Sequence, residues 1–242
     1  MALLEVQNIT KRFGGLVAVR DFSLSMNRGQ IVALIGPNGA GKTTAFNVIA
    51  GYYKTDGGKV LFNGREITNL RPDQICGLGL ARTFQVVRPF GGISVLDNVM
   101  IGAYARTADA KIARAKAEGV LESLGLQRMA NQMAKGLPVA IRKRLEIARA
   151  VATDPQMILL DEAMAGLRPT EAEEVIGMVR KLSENGIAIL LVEHVMKVVM
   201  SLAERIIVLH HGETIADGEP AEVVKNQQCI EAYLGEANNV AS

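Results

Sequence analysis

An unbroken apolar run, Ile31-Val32-Ala33-Leu34-Ile35, leads straight into Gly36-Pro37-Asn38-Gly39-Ala40-Gly41-Lys42-Thr43-Thr44. Few local patterns constrain a fold more tightly. Five consecutive apolar residues predict a strand buried on both faces, as in a parallel sheet. The residues that follow fit G-x-x-x-x-G-K-[ST], whose glycines let successive backbone N–H groups turn inward around an anion. Residues 42–50 read as a helix that Gly51 is placed to end. The N-terminus of that helix adds the positive end of a dipole. Strand, glycine loop and helix in this order predict a triphosphate cradle at the carboxyl edge of a parallel sheet. In such a cradle Lys42 bridges the β- and γ-phosphates, and the Thr43 hydroxyl ligates Mg²⁺.

A second segment supplies what the loop lacks. Met157-Ile158-Leu159-Leu160 ends in Asp161-Glu162. A buried strand here delivers Asp161 to the edge that holds the loop, where its carboxylate can hold Mg²⁺ or a metal-bound water. Glu162, one residue on, can polarise an attacking water as general base. Each segment alone has an ordinary reading, as a glycine-rich turn or a strand ending in solvated acids. Together they complete one another.

Composition narrows the partners. The chain has 242 residues, of which 49% are hydrophobic and only 4% aromatic, which suits an aliphatic α/β core. Its 27 basic and 25 acidic residues leave a net charge of +2, which argues against nucleic acid as a partner. The first residues lack the basic region and apolar core of a signal peptide. No apolar run reaches the roughly 18–20 residues needed to span a bilayer. The best candidate, 187–209, is broken by Glu193, His194, Lys197, Glu204 and Arg205. Cys76 and Cys229 stand far apart without metal-ligand spacing and read as reduced thiols.

Along the chain, segments 3–9 and 17–24 have strand character around a Gly14-Gly15 turn. Residues 59–62 run into Asn63-Gly64, a strong hairpin signal. From about 95 the pattern changes. Residues 103–124 have helical spacing, and 145–151 continue a second helix. Strands return at 157–160, 187–192 and 206–209, with an amphipathic helix at 170–183 between them. A last helix is expected at 221–234, followed by a frayed tail. Arg142-Lys143-Arg144 reads as a solvated helix face. Met196 and Met200, four residues apart, read as core, and His210-His211 as a polar end before the Gly212 turn.

Four further segments stand in order around the loop and the acidic strand end. They are Thr10-Lys11-Arg12-Phe13, Arg82-Thr83-Phe84-Gln85, Arg144-Leu145-Glu146-Ile147-Ala148-Arg149-Ala150 and Leu191-Val192-Glu193-His194. With them the chain resembles, over nearly its whole length, the nucleotide-binding subunit of ATP-binding cassette (ABC) transporters. The resemblance implies an α/β P-loop NTPase cassette with an N-terminal antiparallel β part and an inserted helical subdomain. It implies a single domain over 1–242, with 1–94 and 153–242 as catalytic core and 95–152 as the helical part. It implies ATP and Mg²⁺ as cofactors. Phe13 then stacks on adenine, and Gly36 through Thr44 hold the phosphates. Thr43, Gln85 and Asp161 serve the metal, and Glu162, His194 and Gln85 serve the chemistry.

The chain departs from that family at one loop. Where the family has L-S-G-G-Q, this chain has Leu137-Pro138-Val139-Ala140-Ile141. In the family two subunits close head to tail, and this loop contacts the γ-phosphate held by the other subunit. Pro138 supplies neither a hydroxyl nor an N–H. One lost hydrogen bond to a charged group costs roughly 1.5–3 kcal/mol, about ten- to hundredfold in rate. Ala163 stands where the family usually has proline, and Arg168 where it has aspartate or asparagine. These departures imply an asymmetric heterodimer with a second, different ATPase subunit.

Finer likeness points to the ATPases of branched-chain amino-acid-type importers. It rests on residues 36–47, on Gly79-Leu80-Ala81-Arg82-Thr83-Phe84-Gln85, on Glu193-His194, and on the ending Ile230-Glu231-Ala232-Tyr233-Leu234-Gly235. The partners implied are two membrane permeases and, indirectly, a periplasmic binding protein. The implied location is peripheral, on the cytoplasmic face of the inner membrane. Residues 86–93, after Gln85, are where a permease coupling helix would dock. Alternatives are a lipopolysaccharide-type exporter ATPase and a non-transport ABC ATPase. A GTPase is disfavoured because no N-K-x-D motif occurs, and a small-molecule kinase would not need Gln85 and His194.

Overall fold

The computed structural model describes residues 2–84 and 89–239, with side chains to Tyr233. In chain order the elements begin with β1 (Leu4–Phe13), β2 (Leu16–Met26), β3 (Ile31–Ile35), α1 (Lys42–Ile49), β4 (Gly57–Phe62), β5 (Arg65–Glu66), α2 (Pro72–Gly77) and β6 (Leu80–Arg82). Three helices follow, α3 (Val95–Ala103), α4 (Ala110–Ser123) and α5 (Val139–Ala152), with a 3-10 turn at Gln127–Met129. Then come β7 (Met157–Asp161), α6 (Pro169–Glu184), β8 (Ala188–Val192), α7 (Met196–Leu202), β9 (Arg205–His210), β10 (Glu213–Gly218), α8 (Pro220–Val223) and α9 (Gln227–Asn239).

The strands form two sheets. A four-stranded antiparallel sheet has the order β2-β1-β4-β5. A six-stranded sheet has the order β10-β9-β3-β8-β7-β6 and is parallel except for β10. Register fixes where the chemistry lies. Leu34 pairs with Val192 across β3 and β8, and Val192 pairs with Asp161 across β8 and β7. The carboxyl ends of β3, β8 and β7 therefore share one edge, where open α/β sheets bind ligands.

All five residues of β3 are buried, and they alternate between two cores. Val32 and Leu34 pack with Phe22, Phe46 and Phe62 between the two sheets. Ile31, Ala33 and Ile35 join the core on the other face, with α3–α6. α6 follows the same logic. Pro169 opens it, and Val175, Ile176, Val179 and Leu182 form its buried stripe.

Several boundaries differ from the sequence reading. Segment 103–124 is not one helix. Ala103 ends α3, and Asp109 starts α4 by accepting the Lys111 N–H at 2.7 Å. α5 begins at Val139, so part of the predicted loop 137–141 is its first turn. The expected last helix is split into α8 and α9, and α9 extends to Asn239, into the segment read as a frayed tail. Met196 and Met200 are exposed rather than core, because α7 buries Val198, Val199 and Leu202 instead. Short elements with little periodicity, β6, α2 and β10, were not legible. The Asn63-Gly64 hairpin does form, with both residues at positive φ. No described helix is long and apolar enough to cross a membrane.

Candidate functional site

β3 ends at Ile35, and the loop after it turns through Gly36, Gly39 and Gly41, at φ of 148°, 78° and 104°. Room matters there as much as angle. A Cβ on Gly41 would lie 2.3 Å from the Ala18 carbonyl oxygen, and one on Gly36 would lie 2.1 Å from that of Leu209. Lys42 opens α1 and folds back, its Nζ donating to the carbonyls of Gly36 at 2.6 Å and Pro37 at 2.7 Å. α1 carries no acidic residue in its first turn, so nothing there offsets the positive helix end. The β9–β10 turn braces the loop from outside. Gly212 donates to the Ala40 carbonyl at 2.9 Å and accepts from the Arg20 N–H at 2.8 Å.

Opposite the loop, β7 and β8 deliver the acid and the histidine. Glu162 follows Asp161 in the left-handed region, at φ 49°. Its Oε1 lies 2.6 Å from His194 Nε2. A cleft of about 490 Å³ is lined by Phe13, residues 38–44, Glu162, His194 and His211. Phe13, the last residue of β1, is 42% exposed and meets Tyr53 edge-on at 5.3 Å. The fold thus gathers Phe13, the glycine loop, Glu162 and His194 from four separate stretches of sequence.

Asp161 sits deeper. Its side chain is 4% exposed and accepts from Arg82 Nη2 at 3.0 Å, while Arg82 is itself 9% exposed. Arg82 also donates to Asn47 on α1, and its guanidinium lies over Tyr52 at 5.2 Å and Phe84 at 5.5 Å. The Asp161 N–H donates to Thr83 Oγ1 at 3.3 Å. Gln85 lies outside the described residues, as do 86–88 of the expected docking segment.

At the far end of the helical block, Pro138 precedes α5, and no side chain caps that helix. Leu137 and Ala140 are buried, while Val139 is exposed. Pro138, Val139, Ala140 and Ile141, which stand in place of S-G-G-Q, carry hydrocarbon side chains alone. Arg168 precedes α6 and is held by Glu171, which accepts its N–H at 3.0 Å and its guanidinium at 2.6 Å.

Sequence reasoning missed four neighbours of the cleft: Arg82, Lys143, Glu193 and His211. Lys143 is buried rather than part of a solvated face, and donates to the Glu162 carbonyl at 2.6 Å. The signal was present in the helical period, since Ala140, Lys143, Ile147 and Ala150 fall on one buried stripe. Glu193 is buried, and burial holds its carboxyl above the usual carboxylate range, against the Met164 N–H that favours its charge. Burial likewise lowers Lys143, against the pull of Glu193 and Glu162.

Comparison with known proteins gives a consistent result. Residues 19–165 match the family model described as ABC transporter. Residues 213–238 match one described as branched-chain amino acid ATP-binding cassette transporter. The chain is 40% identical to the high-affinity branched-chain amino acid transport ATP-binding protein of Salmonella typhimurium, over 97% of this chain and 98% of that protein. It is 39% identical to the corresponding protein of Pseudomonas aeruginosa, with the same coverage. A crystal structure of the ADP conformation of an ATP-binding cassette of an ABC transporter superposes with a TM-score of 0.89. That pair is 34% identical, covering 97% of this chain and 99% of the other.

Proposed function

This chain belongs to the ABC transporter family as an ATPase subunit, and from that premise we propose that it energises import of branched-chain amino acids or related small solutes. The named relatives and the C-terminal family match support that solute class. The observation that carries the chemistry is the pair Glu162–His194, 2.6 Å apart in the same cleft as the glycine loop.

The residues divide the work as follows. Residues 36–44 hold the phosphates through backbone N–H groups and Lys42. Phe13 offers its exposed ring to the adenine. Thr43, Asp161 and Gln85 would make an all-oxygen donor set of the kind Mg²⁺ takes, and the Asp161 carboxylate at the end of β7 supplies the negative charge for it, while the uncancelled helix end suits the phosphates. When bound, Mg²⁺ neutralises charge on the transferred phosphate. Glu162 takes the proton of the attacking water, and His194 holds the carboxylate that does so. Segments 1–94 and 153–242 form the catalytic core, and 95–152 the helical part that meets the partner.

The partner subunits are two permeases and a second ATPase with an intact signature loop. That second loop completes the ATP site on this chain, while Pro138 and its neighbours serve the reverse site poorly. The docked complex lies at the cytoplasmic face of the membrane, with ATP-driven closure working the permeases.

The test is reconstitution of the complex in vesicles. Glu162→Gln should cut ATP turnover and leucine accumulation by about a hundredfold or more while nucleotide binding persists. Uptake that survives this change refutes the assigned base. In the Glu162→Gln complex, adding Pro138→Ser and Ala140→Gly should raise the remaining turnover about ten- to hundredfold. An unchanged rate refutes the asymmetry.

A further inference from the structure

Two buried charges lie under the cleft and take no part in the roles above. Lys143 on α5 is 8% exposed, and Glu193 at the end of β8 is 2% exposed. They come from separate elements and attract one another across the backbone of Glu162 to Met164. Lys143 Nζ donates to the Glu162 carbonyl at 2.6 Å. Glu193 Oε1 accepts the Met164 N–H at 2.8 Å, and its Oε2 is buried with no hydrogen-bond partner among the described residues.

Glu162 needs such support. A non-glycine residue in the left-handed region is costly, by roughly 1–2 kcal/mol. Strain of this kind persists only where the surroundings over-determine it. Here both peptide groups of Glu162 are pinned. Its N–H donates to the Val192 carbonyl at 2.9 Å, and its own carbonyl takes the Lys143 ammonium and the Ala165 N–H. Two residues on, Glu193 holds Met164, and the residue after Glu193 is His194, the partner of the Glu162 carboxylate. The buried couple thus fixes the main chain on both sides of the Glu162–His194 contact.

We infer that Lys143 and Glu193 are positioning residues that hold Glu162 in its left-handed turn and so keep its carboxylate aimed into the cleft. The inference rests on the reading of Glu162 as general base. It also gives α5 a second task. The helix that starts at the poor signature loop is fastened to this chain's own base.

The experiment measures ATP turnover of the assembled transporter and, separately, binding of a fluorescent ATP analogue to the full chain. Lys143→Met should lower kcat about ten- to hundredfold, the loss expected when a reacting group shifts by about an ångström. KM and analogue binding should stay within about twofold, because the phosphate loop is untouched. Lys143→Arg should restore most of the rate. Glu193→Ala should repeat the split. Glu193→Gln, which keeps an acceptor for the Met164 N–H, should retain most of the rate. The two conservative variants guard against misfolding of the others. In a Glu162→Gln background, Lys143→Met should change the residual rate by less than about twofold, since residues acting as a unit are non-additive. Equal losses in binding and kcat, a multiplied loss in the double variant, or an unchanged kcat would each overturn the inference. A Glu162→Gln variant that hydrolyses normally would instead overturn the role of Glu162 itself.

Discussion

Asp161 is held by Arg82, and removing the arginine should unsettle the whole fold. The two side chains are 4% and 9% exposed and meet at 3.0 Å. With an effective dielectric constant of about 20, unit charges at that separation attract by about 5.5 kcal/mol. Breaking a buried pair by deleting one partner typically costs about 3–5 kcal/mol, because the other charge is left without compensation. Arg82→Met should therefore lower the thermal midpoint by about 6–20 °C in a chain of this size. The loss should be largely undone by adding Asp161→Asn, since replacing both members of a buried pair is often nearly neutral. Calorimetry or urea unfolding of the four members of this cycle reads the coupling directly. A shift under about 2 °C for Arg82→Met refutes the reasoning. So does a double variant whose loss is the sum of the two single losses.

Gly41→Ala should weaken nucleotide binding at least about tenfold, given the strain of positive φ. The added Cβ would lie 2.3 Å from the Ala18 oxygen, and titration with a fluorescent ATP analogue checks the result. Asn98 on α3 is fully buried and ties the preceding loop to the helix, accepting the Phe90 N–H and donating to the Phe90 and Ser94 carbonyls. Asn98→Ala should cost about 3 kcal/mol in urea unfolding, at about 1–3 kcal/mol for each buried group left unmatched, and a loss below about 1 kcal/mol would contradict it. Burial raises the Glu146 carboxyl above 4.5, partly offset by Arg149. The stability its neutral form supports is whole below about pH 4.5 and is lost as pH rises through the folded value. Glu146→Gln should thus gain on the parent chain as pH climbs from about 4.5 toward neutral, and the opposite trend would refute the sign.

What the sequence made legible was what local chemistry dictates. β3 and β7 are continuous apolar runs, and their burial follows from composition alone. The glycines at 36, 39 and 41 announce positive φ, and at 36 and 41 a side chain would also lack room. Glu162 and His194 were legible by position in a motif, although their 2.6 Å contact depends on β7 and β8 being neighbours. Lys143 was hidden inside a run of three basic residues, where only the register of α5 decides which one turns inward. Arg82 was hidden because its partner lies 79 residues away and only the pairing of β6 with β7 brings them together. The break at 104–109 also escaped notice, since alanine-rich sequence favours helix on either side and the stop depends on packing.

The brace at Gly212 has a consequence for how nucleotides are told apart. Main-chain bonds join the phosphate loop to Gly212, and Gly212 to β2, so the small sheet that carries Phe13 is tied to the loop that leads into Lys42. With Phe13 proposed to take the base and Lys42 the γ-phosphate end, the face would work like a caliper whose gap is set by backbone rather than side chains. Exchanging the ring at position 13 would alter how firmly a base is gripped without resetting the gap. On the proposed roles of Phe13 and Lys42, length from base to last phosphate would be gauged independently of which base is held.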